Sequence, residues 1–220
     1  MSASKGMLEH HFEDLKQQHE VATLGMWVFL ATEVLFFGGL FLSYTVARTR
    51  YPDAFAFGGD QLNVWLGAFN TLVLLGSSLT MALAVQGGQL GRRKQLVTCL
   101  GLTILLGGVF LGVKAVEYYT DYVEHLVPAM GFDLSEKDVP NGVRAANVEL
   151  FFWLYFCMTG LHAAHMIVGM VILVILVVKA RRDRYSPEFY YPIEVTGLYW
   201  HFVDIIWIFL FPLLYLIPGH

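Results

Sequence analysis

Residues 24–41 read LGMWVFLATEVLFFGGLF, and this stretch decides the fold class. Seventeen of its eighteen residues are uncharged and most are apolar, which is the composition of a helix that crosses a membrane. The exception is Glu33, near the centre of the stretch. A carboxylate at the centre of a bilayer costs about 3 kcal/mol on insertion scales, so we expect Glu33 to face a protein interior and to have a partner.

The composition of the whole chain favours a membrane protein over a soluble one. Its 220 residues are 56% hydrophobic and 15% charged, whereas soluble domains are about 25% charged. The formal net charge is -4 and no long basic run is present, so nucleic acid is not an expected partner. The first twenty residues lack an apolar core, so no cleavable signal peptide is predicted, and their histidines are expected to be solvated: His10, His11 and His19.

Five segments are long and apolar enough to cross about 30 Å of hydrocarbon. The predicted fold is therefore all-α, an integral membrane bundle of five transmembrane helices. The spans are residues 21–47, 63–85, 96–119, 150–178 and 195–217. Residues 1–20 are expected to form a polar cytoplasmic segment, and residues 21–220 to form one membrane domain.

The distribution of Lys and Arg predicts the orientation, because positively charged loops stay in the cytoplasm. With a cytoplasmic N-terminus, that side carries nine of the 14: Lys5, Lys16, Arg92, Arg93, Lys94, Lys179, Arg181, Arg182 and Arg184. The other side carries four: Arg48, Arg50, Lys137 and Arg144. The C-terminus is then external, as is an acidic loop containing Asp121, Glu124, Asp133, Glu136 and Asp138.

Eight polar residues lie within the spans, where such residues usually face the interior of the bundle and pair. They are Glu33, Asn70, Lys114, Glu117, His162, His165, His201 and Asp204. At a helical rise of 1.5 Å per residue, Glu33 lies about 18 Å from the cytoplasmic end, His165 about 20 Å and His162 about 24 Å. A carboxylate–imidazole contact between the first and fourth spans is therefore expected, with either histidine as the partner.

The same depths argue against a haem held by two histidines. His201 lies only about 9 Å in and Asp204 about 14 Å, so His201 does not match either histidine of the fourth span. For His162 and His165, a hydrogen-bonded pair of core histidines remains the alternative to a proton-linked or lipid-linked site.

Local contacts can explain the other polar residues. Lys114 and Glu117 are three residues apart, which predicts an interfacial ion pair. His201 and Asp204 have the same spacing, which predicts a local bond between them. Asn70, with Ser77 seven residues on, is expected to hydrogen-bond across helices.

Small and aromatic residues in the spans predict packing rather than chemistry. Gly38, Gly39, Gly160 and Ala164 are expected at close contacts between helices: small residues let backbones approach. Trp200 and Trp207 lie seven residues apart, which places them on one helix face. We expect them either to pack inside the bundle or to face lipid.

No motif for catalysis or for a cofactor is present. The sequence lacks a Cys-x₃-Cys copper motif, a CxxCH haem attachment site and a nucleophile with its base. The two cysteines, Cys99 and Cys157, each lie in an apolar run and are predicted to be small buried hydrophobic residues. We therefore predict no catalytic, cofactor-binding or metal-ligating residue in this chain.

Several stretches resemble consecutive helices of one family, cytochrome c oxidase subunit III. The glutamate-bearing helix of that family is similar to residues 24–41, and its next helix to FNTLVLLGSSLTMALAV, residues 69–85. Its two-histidine motif is similar to TGLHAAHMIVGM, residues 159–170, and its last helix to GLYWHFVDIIWIFLFPLLYL, residues 197–216. FLGVKAVEY, residues 110–118, is a weaker match. The chain resembles the shorter, five-helix bacterial members.

The resemblance implies a non-redox subunit of a respiratory haem–copper oxidase that supports oxygen reduction and proton pumping by subunit I. It implies no cofactor in this chain, because haem and copper lie in partner subunits, and it implies bound phospholipid. Subunit I is the expected main contact, with subunit II and a small subunit IV as further partners, in the cell membrane of a bacterium. Glu33 matches the family's carbodiimide-reactive carboxylate.

Three other functions stay open from the sequence. Two belong to the same class, a quinol oxidase subunit III and the accessory subunit of nitric oxide reductase. The third is a stand-alone proton-coupled transporter, which is disfavoured because the sequence has no inverted repeat and no paired interrupted helices.

Overall fold

The computed structural model describes residues 14–128, 132, 134, 139–140, 142–182 and 185–216. Over these residues the protein is α-helical, and its one extended feature is an isolated bridge between Ser186 and Phe189. Some residues of the sequence argument lie outside the described ranges: Lys5, His10, His11, Asp133, Glu136, Lys137, Asp138 and Arg184.

Five long helices, one short helix and a final π-helical turn make up the part of the chain that the structure describes. They are α1 Leu15–Arg50, α2 Pro52–Asp60, α3 Val64–Gln89, α4 Arg93–Val123, α5 Ala145–Arg181, α6 Tyr191–Phe211 and the π-helical turn Pro212–Leu216. All except α2 are long and apolar enough to cross a membrane, with α6 and the π-helical turn forming one span. Over the described residues, the prediction of an all-α fold with five spans is confirmed.

The first helix begins at Leu15, within the segment expected to precede the membrane domain. Asp14 starts the helix, because its carboxylate accepts a hydrogen bond from the Gln17 backbone N–H at 2.7 Å and satisfies one free donor of the first turn. Residues 15–20 are therefore helical and continuous with the first span.

A short helix, α2, lies between the first two spans, where the sequence predicted no helix. Pro52 lies at its first position, where a missing backbone N–H costs nothing. Phe55 is buried and lies edge-on to Phe151 of α5, with 5.5 Å between ring centroids. Gly58 permits this contact, since a Cβ there would lie 2.5 Å from the Phe151 ring.

The helix α6 lies at the centre of the bundle and α1 at its edge. Helix α6 packs against α3, α5 and α1, whereas α1 contacts α6, α5 and the short α2. In the most apolar stretch of α6 and its π-helical turn 56% of residues are buried, against 11% in that of α1. Most of the α1 surface is therefore open to lipid or to another protein.

Both tryptophans of α6 pack inside the protein. The Trp200 ring lies where α4 and α5 carry Gly107 and Gly169, and a Cβ at either glycine would approach the ring to 3.1 or 3.0 Å. The indole N–H of Trp200 donates to Ser77 Oγ at 3.0 Å. Trp207 is also fully buried and donates to Thr71 Oγ1 at 3.1 Å.

The expected packing glycines are not the ones that the structure uses. A Cβ at Gly38 or Gly39 would meet nothing within 4 Å, and at Gly160 only the Tyr118 hydroxyl at 3.9 Å. Their small size is therefore not required by a helix contact within this chain.

One cysteine prediction is also wrong, since Cys99 is buried but Cys157 is exposed.

Candidate functional site

Glu33 of α1 and His165 of α5 form the carboxylate–imidazole contact. Glu33 Oε2 lies 3.1 Å from His165 Nε2. The other ring nitrogen, Nδ1, lies 2.8 Å from the Leu161 carbonyl oxygen, which can only accept, so Nδ1 carries a proton. Either a protonated His165 donates to a carboxylate, or a protonated Glu33 donates to a neutral ring. In both cases one proton lies between the two side chains and the pair has no net charge.

The pair lines a groove beside α1. The groove has a volume of about 460 Å³. Most of its walls are apolar, formed by Met26, Phe29, Ala164, Val168 and Ile172, and Thr196 and Tyr199 complete the lining. The side chains of His165 and Glu33 are 19% and 17% exposed, so they are reachable from the groove. Tyr199 fixes the position of α5 here by donating to the His165 carbonyl oxygen at 2.9 Å.

His162 does not contact Glu33, although it shares a helix face with His165. It is 1% exposed and lies against Phe110 and Trp207, with ring centroids 5.4 Å and 5.3 Å away. Neither ring nitrogen has a hydrogen-bond partner among the described residues. The two histidines therefore have separate surroundings, one beside α1 and one inside the bundle.

Lys114 and Glu117 form the predicted ion pair, with Lys114 Nζ 3.0 Å from Glu117 Oε2. The pair is buried, at 3% and 5% exposure, and two tyrosines complete it. Lys114 Nζ also donates to the hydroxyls of Tyr155 at 3.1 Å and Tyr215 at 2.9 Å. Both hydroxyls in turn donate to Glu117 Oε1. The cluster joins α4, α5 and the π-helical turn, and every polar atom of the ion pair has a partner.

The predicted local bond between His201 and Asp204 is absent. The His201 ring points to α3, where its Nδ1 lies 2.7 Å from Ser78 Oγ. Asp204 is 3% exposed, and neither of its oxygens completes a hydrogen bond with a described residue. Three-residue spacing places both side chains on one side of α6, but their neighbours on α3 decide the partners.

The prediction for Asn70 is also wrong. The side chain is fully buried and neither amide atom has a hydrogen-bond partner among the described residues. Ser77 does bond across helices, because it accepts from Trp200 and donates to the Thr103 carbonyl oxygen at 3.5 Å. On α3 the side chains that hydrogen-bond to other helices therefore include Thr71 and Ser77 but not Asn70.

Two further residues differ from expectation in their surroundings. Asp121 was assigned to the external loop but lies in the last turn of α4, 5% exposed and one turn beyond Glu117. His19 was expected in solvent but its Nε2 lies 3.2 Å from Glu194 Oε2, and its ring stacks on Tyr191. These contacts hold the N-terminal ends of α1 and α6 together. Among the described residues, no group of three or more His, Cys, Asp or Glu side chains could hold a metal ion.

A family model described as cytochrome c oxidase subunit III matches residues 7–124 and 145–218. The chain belongs to this family. The match includes every residue of the Glu33 groove and of the Lys114 cluster. Family membership makes the chain a membrane-embedded part of an oxidase complex that contains other subunits.

Curated relatives named cytochrome c oxidase subunit 3 agree with the family assignment. The relative from Corynebacterium diphtheriae is 31% identical, over 90% of this chain and 88% of its own length. That from Alkalihalophilus pseudofirmus is 29% identical, over 98% of this chain and 96% of its own length. That from the goldfish Carassius auratus is 31% identical, over 87% of this chain and 67% of its own length.

Proposed function

We propose that this chain is the non-redox subunit III of a respiratory cytochrome c oxidase in the cell membrane of a bacterium. It supports oxygen reduction and proton pumping by subunit I and carries no redox cofactor itself, since haem and copper lie in the partner subunits. The family match over residues 7–124 and 145–218 is the observation that carries this proposal.

The outer face of α1 supports a partner or lipid contact. Large apolar side chains cover it, and several are more than half exposed: Leu24, Trp27, Val28, Val34, Leu35 and Leu42. Subunit I is the proposed main contact of this chain, with subunit II and a small subunit IV as further contacts. Bound phospholipid fits beside α1, because the groove that contains Glu33 and His165 has mostly apolar walls that suit acyl chains.

The proposed orientation has a cytoplasmic N-terminus and an external C-terminus. Arg93 donates to the Arg181 carbonyl oxygen, which brings the α3–α4 and α5–α6 connections to one end of the bundle. The contact of His19 with Glu194 adds the start of α1 to the same end. Basic residues of three segments thus collect on one side, and the positive-inside rule makes it cytoplasmic.

Purification through a tag on this chain tests the proposal. In mild detergent, a haem-bearing catalytic subunit should copurify, and the complex should reduce oxygen with reduced cytochrome c as donor. Deletion of this chain should leave the haem spectrum of the catalytic subunit intact. A colourless chain that purifies alone, or loss of haem from an otherwise intact catalytic subunit, would contradict the proposal.

A further inference from the structure

The N-terminal ends of α1 and α6 meet at a second carboxylate–imidazole contact, formed by His19 and Glu194. His19 Nε2 lies 3.2 Å from Glu194 Oε2, and each of the two side chains is 34% exposed. Oε2 itself is enclosed by the protein and has no hydrogen-bond partner among the described residues. The contact is therefore an ion pair, and its strength depends on whether the imidazole carries a charge.

Neutral contacts support the same junction. The His19 ring stacks on the Tyr191 ring, with 5.7 Å between the centroids, and the Tyr190 ring lies edge-on to it at 6.2 Å. Gln18 Nε2 donates to the Tyr191 hydroxyl at 2.7 Å. None of these contacts needs a charge, so protonation of His19 changes how firmly the junction is held rather than whether it forms.

The other charged groups around the pair come from α1, the α5–α6 connection and the end of α5. Lys16 and Glu20 of α1 pair with each other at 3.8 Å on an exposed surface. Glu188 of the connection lines the same hollow as His19. The last turn of α5 carries two cations, which form no ion pair with a described residue: Lys179 and Arg181. His19 thus supplies the one ion pair that Glu194 makes with a described residue.

One turn of α1 separates this junction from the groove that contains Glu33. His19, Thr23 and Met26 lie on one face of α1, because they are four and three residues apart. Met26 lines the groove together with Thr196 from the first turns of α6. Thr23 Oγ1 is enclosed and has no hydrogen-bond partner among the described residues. A water molecule that enters here finds a polar partner, so this turn is a route for water when the junction opens.

The start of α1 is able to move, because few contacts hold this helix. In its most apolar stretch 11% of the residues are buried. Among the described residues, the next side-chain hydrogen bond from α1 to another helix after the junction is that of Glu33 with His165, about four helical turns further on. Elements with few buried contacts open locally at low cost. The junction at His19 therefore decides how often the first turns of α1 separate from α6.

We propose that His19 and Glu194 form a pH-sensitive latch that controls the access of water to the Glu33–His165 pair. When His19 is protonated, the ion pair holds the start of α1 against α6, and the turn around Thr23 stays closed. Imidazole groups lose their proton between about pH 5 and pH 8, and the neutral ring no longer attracts the Glu194 carboxylate. The junction then opens more often, and water and protons reach the groove from this end. In the orientation proposed above, this end is cytoplasmic.

Labelling of an introduced thiol in the purified complex tests the latch. The variant Thr23→Cys is made in a Cys157→Ser background, which removes the exposed native thiol. A charged, water-soluble methanethiosulfonate is added, and mass spectrometry follows the modification. His19→Phe keeps a ring that can stack on Tyr191 but carries no charge. Comparison of His19→Phe with its parent at one pH removes the pH dependence of the thiol itself.

The ion pair predicts a difference at low pH alone. An ion pair between partly exposed side chains changes an equilibrium by about two- to fivefold. At pH 6, His19→Phe should therefore raise the labelling rate at position 23 about two- to fivefold, and Glu194→Gln should do the same. At pH 8 both variants should be labelled at the rate of their parent, because the imidazole is then neutral.

Lys16→Gln is the matched control, because Lys16 lies in the same turn of α1 but pairs with Glu20. It should leave the labelling rate unchanged at both pH values. A thiol placed in the groove wall by Met26→Cys, instead of Thr23→Cys, should respond to His19→Phe in the same way.

Four results would contradict the proposal. The latch is absent if neither His19→Phe nor Glu194→Gln raises the labelling rate at pH 6. Charge is not its cause if the increase is as large at pH 8, or if Lys16→Gln has the same effect. The junction does not control the groove if labelling at position 26 is unaffected by His19→Phe.

Discussion

Glu33 and His165 hold one proton between α1 and α5, in a pair with no net charge. This follows from the Leu161 carbonyl oxygen, which requires a proton on Nδ1 and leaves Nε2 to face Glu33 at 3.1 Å. A neutral pair can lie in the wall of an apolar groove at much lower cost than a lone carboxylate. The contact thus explains how a transmembrane helix tolerates Glu33.

Substitution of Glu33 by Gln should preserve the contact, because the Gln amide N–H can donate to Nε2 of a neutral His165. The complex should assemble, and initial rates of oxygen reduction should fall less than about tenfold, since one hydrogen bond worth about 0.5–1.5 kcal/mol is altered. Glu33→Leu is the contrasting variant and should lose about 1–3 kcal/mol, because the ring loses its partner. A larger loss of initial rate in a fully assembled Glu33→Gln complex would make Glu33 a catalytic group.

Removal of the Lys114 charge should strongly destabilise the chain. In Lys114→Met the ionised Glu117 would stay buried without its cation, at a cost of about 3–5 kcal/mol. The double variant Lys114→Met/Glu117→Leu should recover most of this loss, because no unpaired charge remains. Thermal unfolding in detergent measures both. Equal destabilisation of the single and double variants would show that the charges themselves are not the cause.

Two glycines should respond to Ala in opposite ways. Gly58→Ala forces a Cβ against the Phe151 ring and should cost about 1–3 kcal/mol. Gly38→Ala meets no neighbour and replaces a poor helix former, so it should be neutral or stabilise by up to about 1 kcal/mol. Thermal unfolding of the matched pair decides this. If Gly58→Ala does not lower the unfolding temperature, α2 does not pack on Phe151 of α5 as described here.

The two cysteines should differ in their reaction with a lipophilic maleimide. Cys157 is exposed on α5, whereas Cys99 is buried in α4, so the folded chain should be labelled at Cys157 alone. Mass spectrometry of the labelled chain locates the modified residue, and Cys157→Ser is the control that should remain unlabelled. Labelling of Cys99 at a rate similar to that of Cys157 would show that Cys99 is not buried within the bundle as described.

The orientation should be visible with fusions at the C-terminus. A reporter that is active only in the cytoplasm should stay silent there, and one that is active only outside should respond, as the positive-inside rule requires. The same reporters placed after Gly91, in the α3–α4 connection, should give the opposite result. The topology is inverted if the cytoplasmic reporter is active at the C-terminus.

The hydropathy of the sequence and the depth of each residue predicted those structural features that depend on position along the membrane normal. Five spans and the contact of Glu33 with one of two histidines follow from counting residues, because helical rise is constant. Rotation about each helix axis is not given by such counting. Because of this rotation, His165 rather than His162 faces α1. For the same reason the His201 ring contacts Ser78 rather than Asp204.

Partners distant in sequence were also missed. Tyr155 and Tyr215 complete the Lys114 cluster from 41 and 101 residues away, and neither has a local signal because each lies in an apolar run. Helix α2 was missed because its local sequence signals are ambiguous, not because they are lacking. Its Pro52 and paired glycines indicate a turn, although the same Pro can begin a helix and Gly58 is required by the ring of Phe151.

The long sequence separation between Glu33 and its partner has a consequence for biosynthesis. His165 lies 132 residues beyond Glu33, so at ribosomal rates α1 is made about 10 seconds before the imidazole exists. During that interval the acid has no partner, and the surrounding Leu, Phe and Val residues of α1 must supply the whole driving force for insertion. The nascent chain therefore needs the many apolar residues of α1 for membrane insertion, although the folded protein buries few of them.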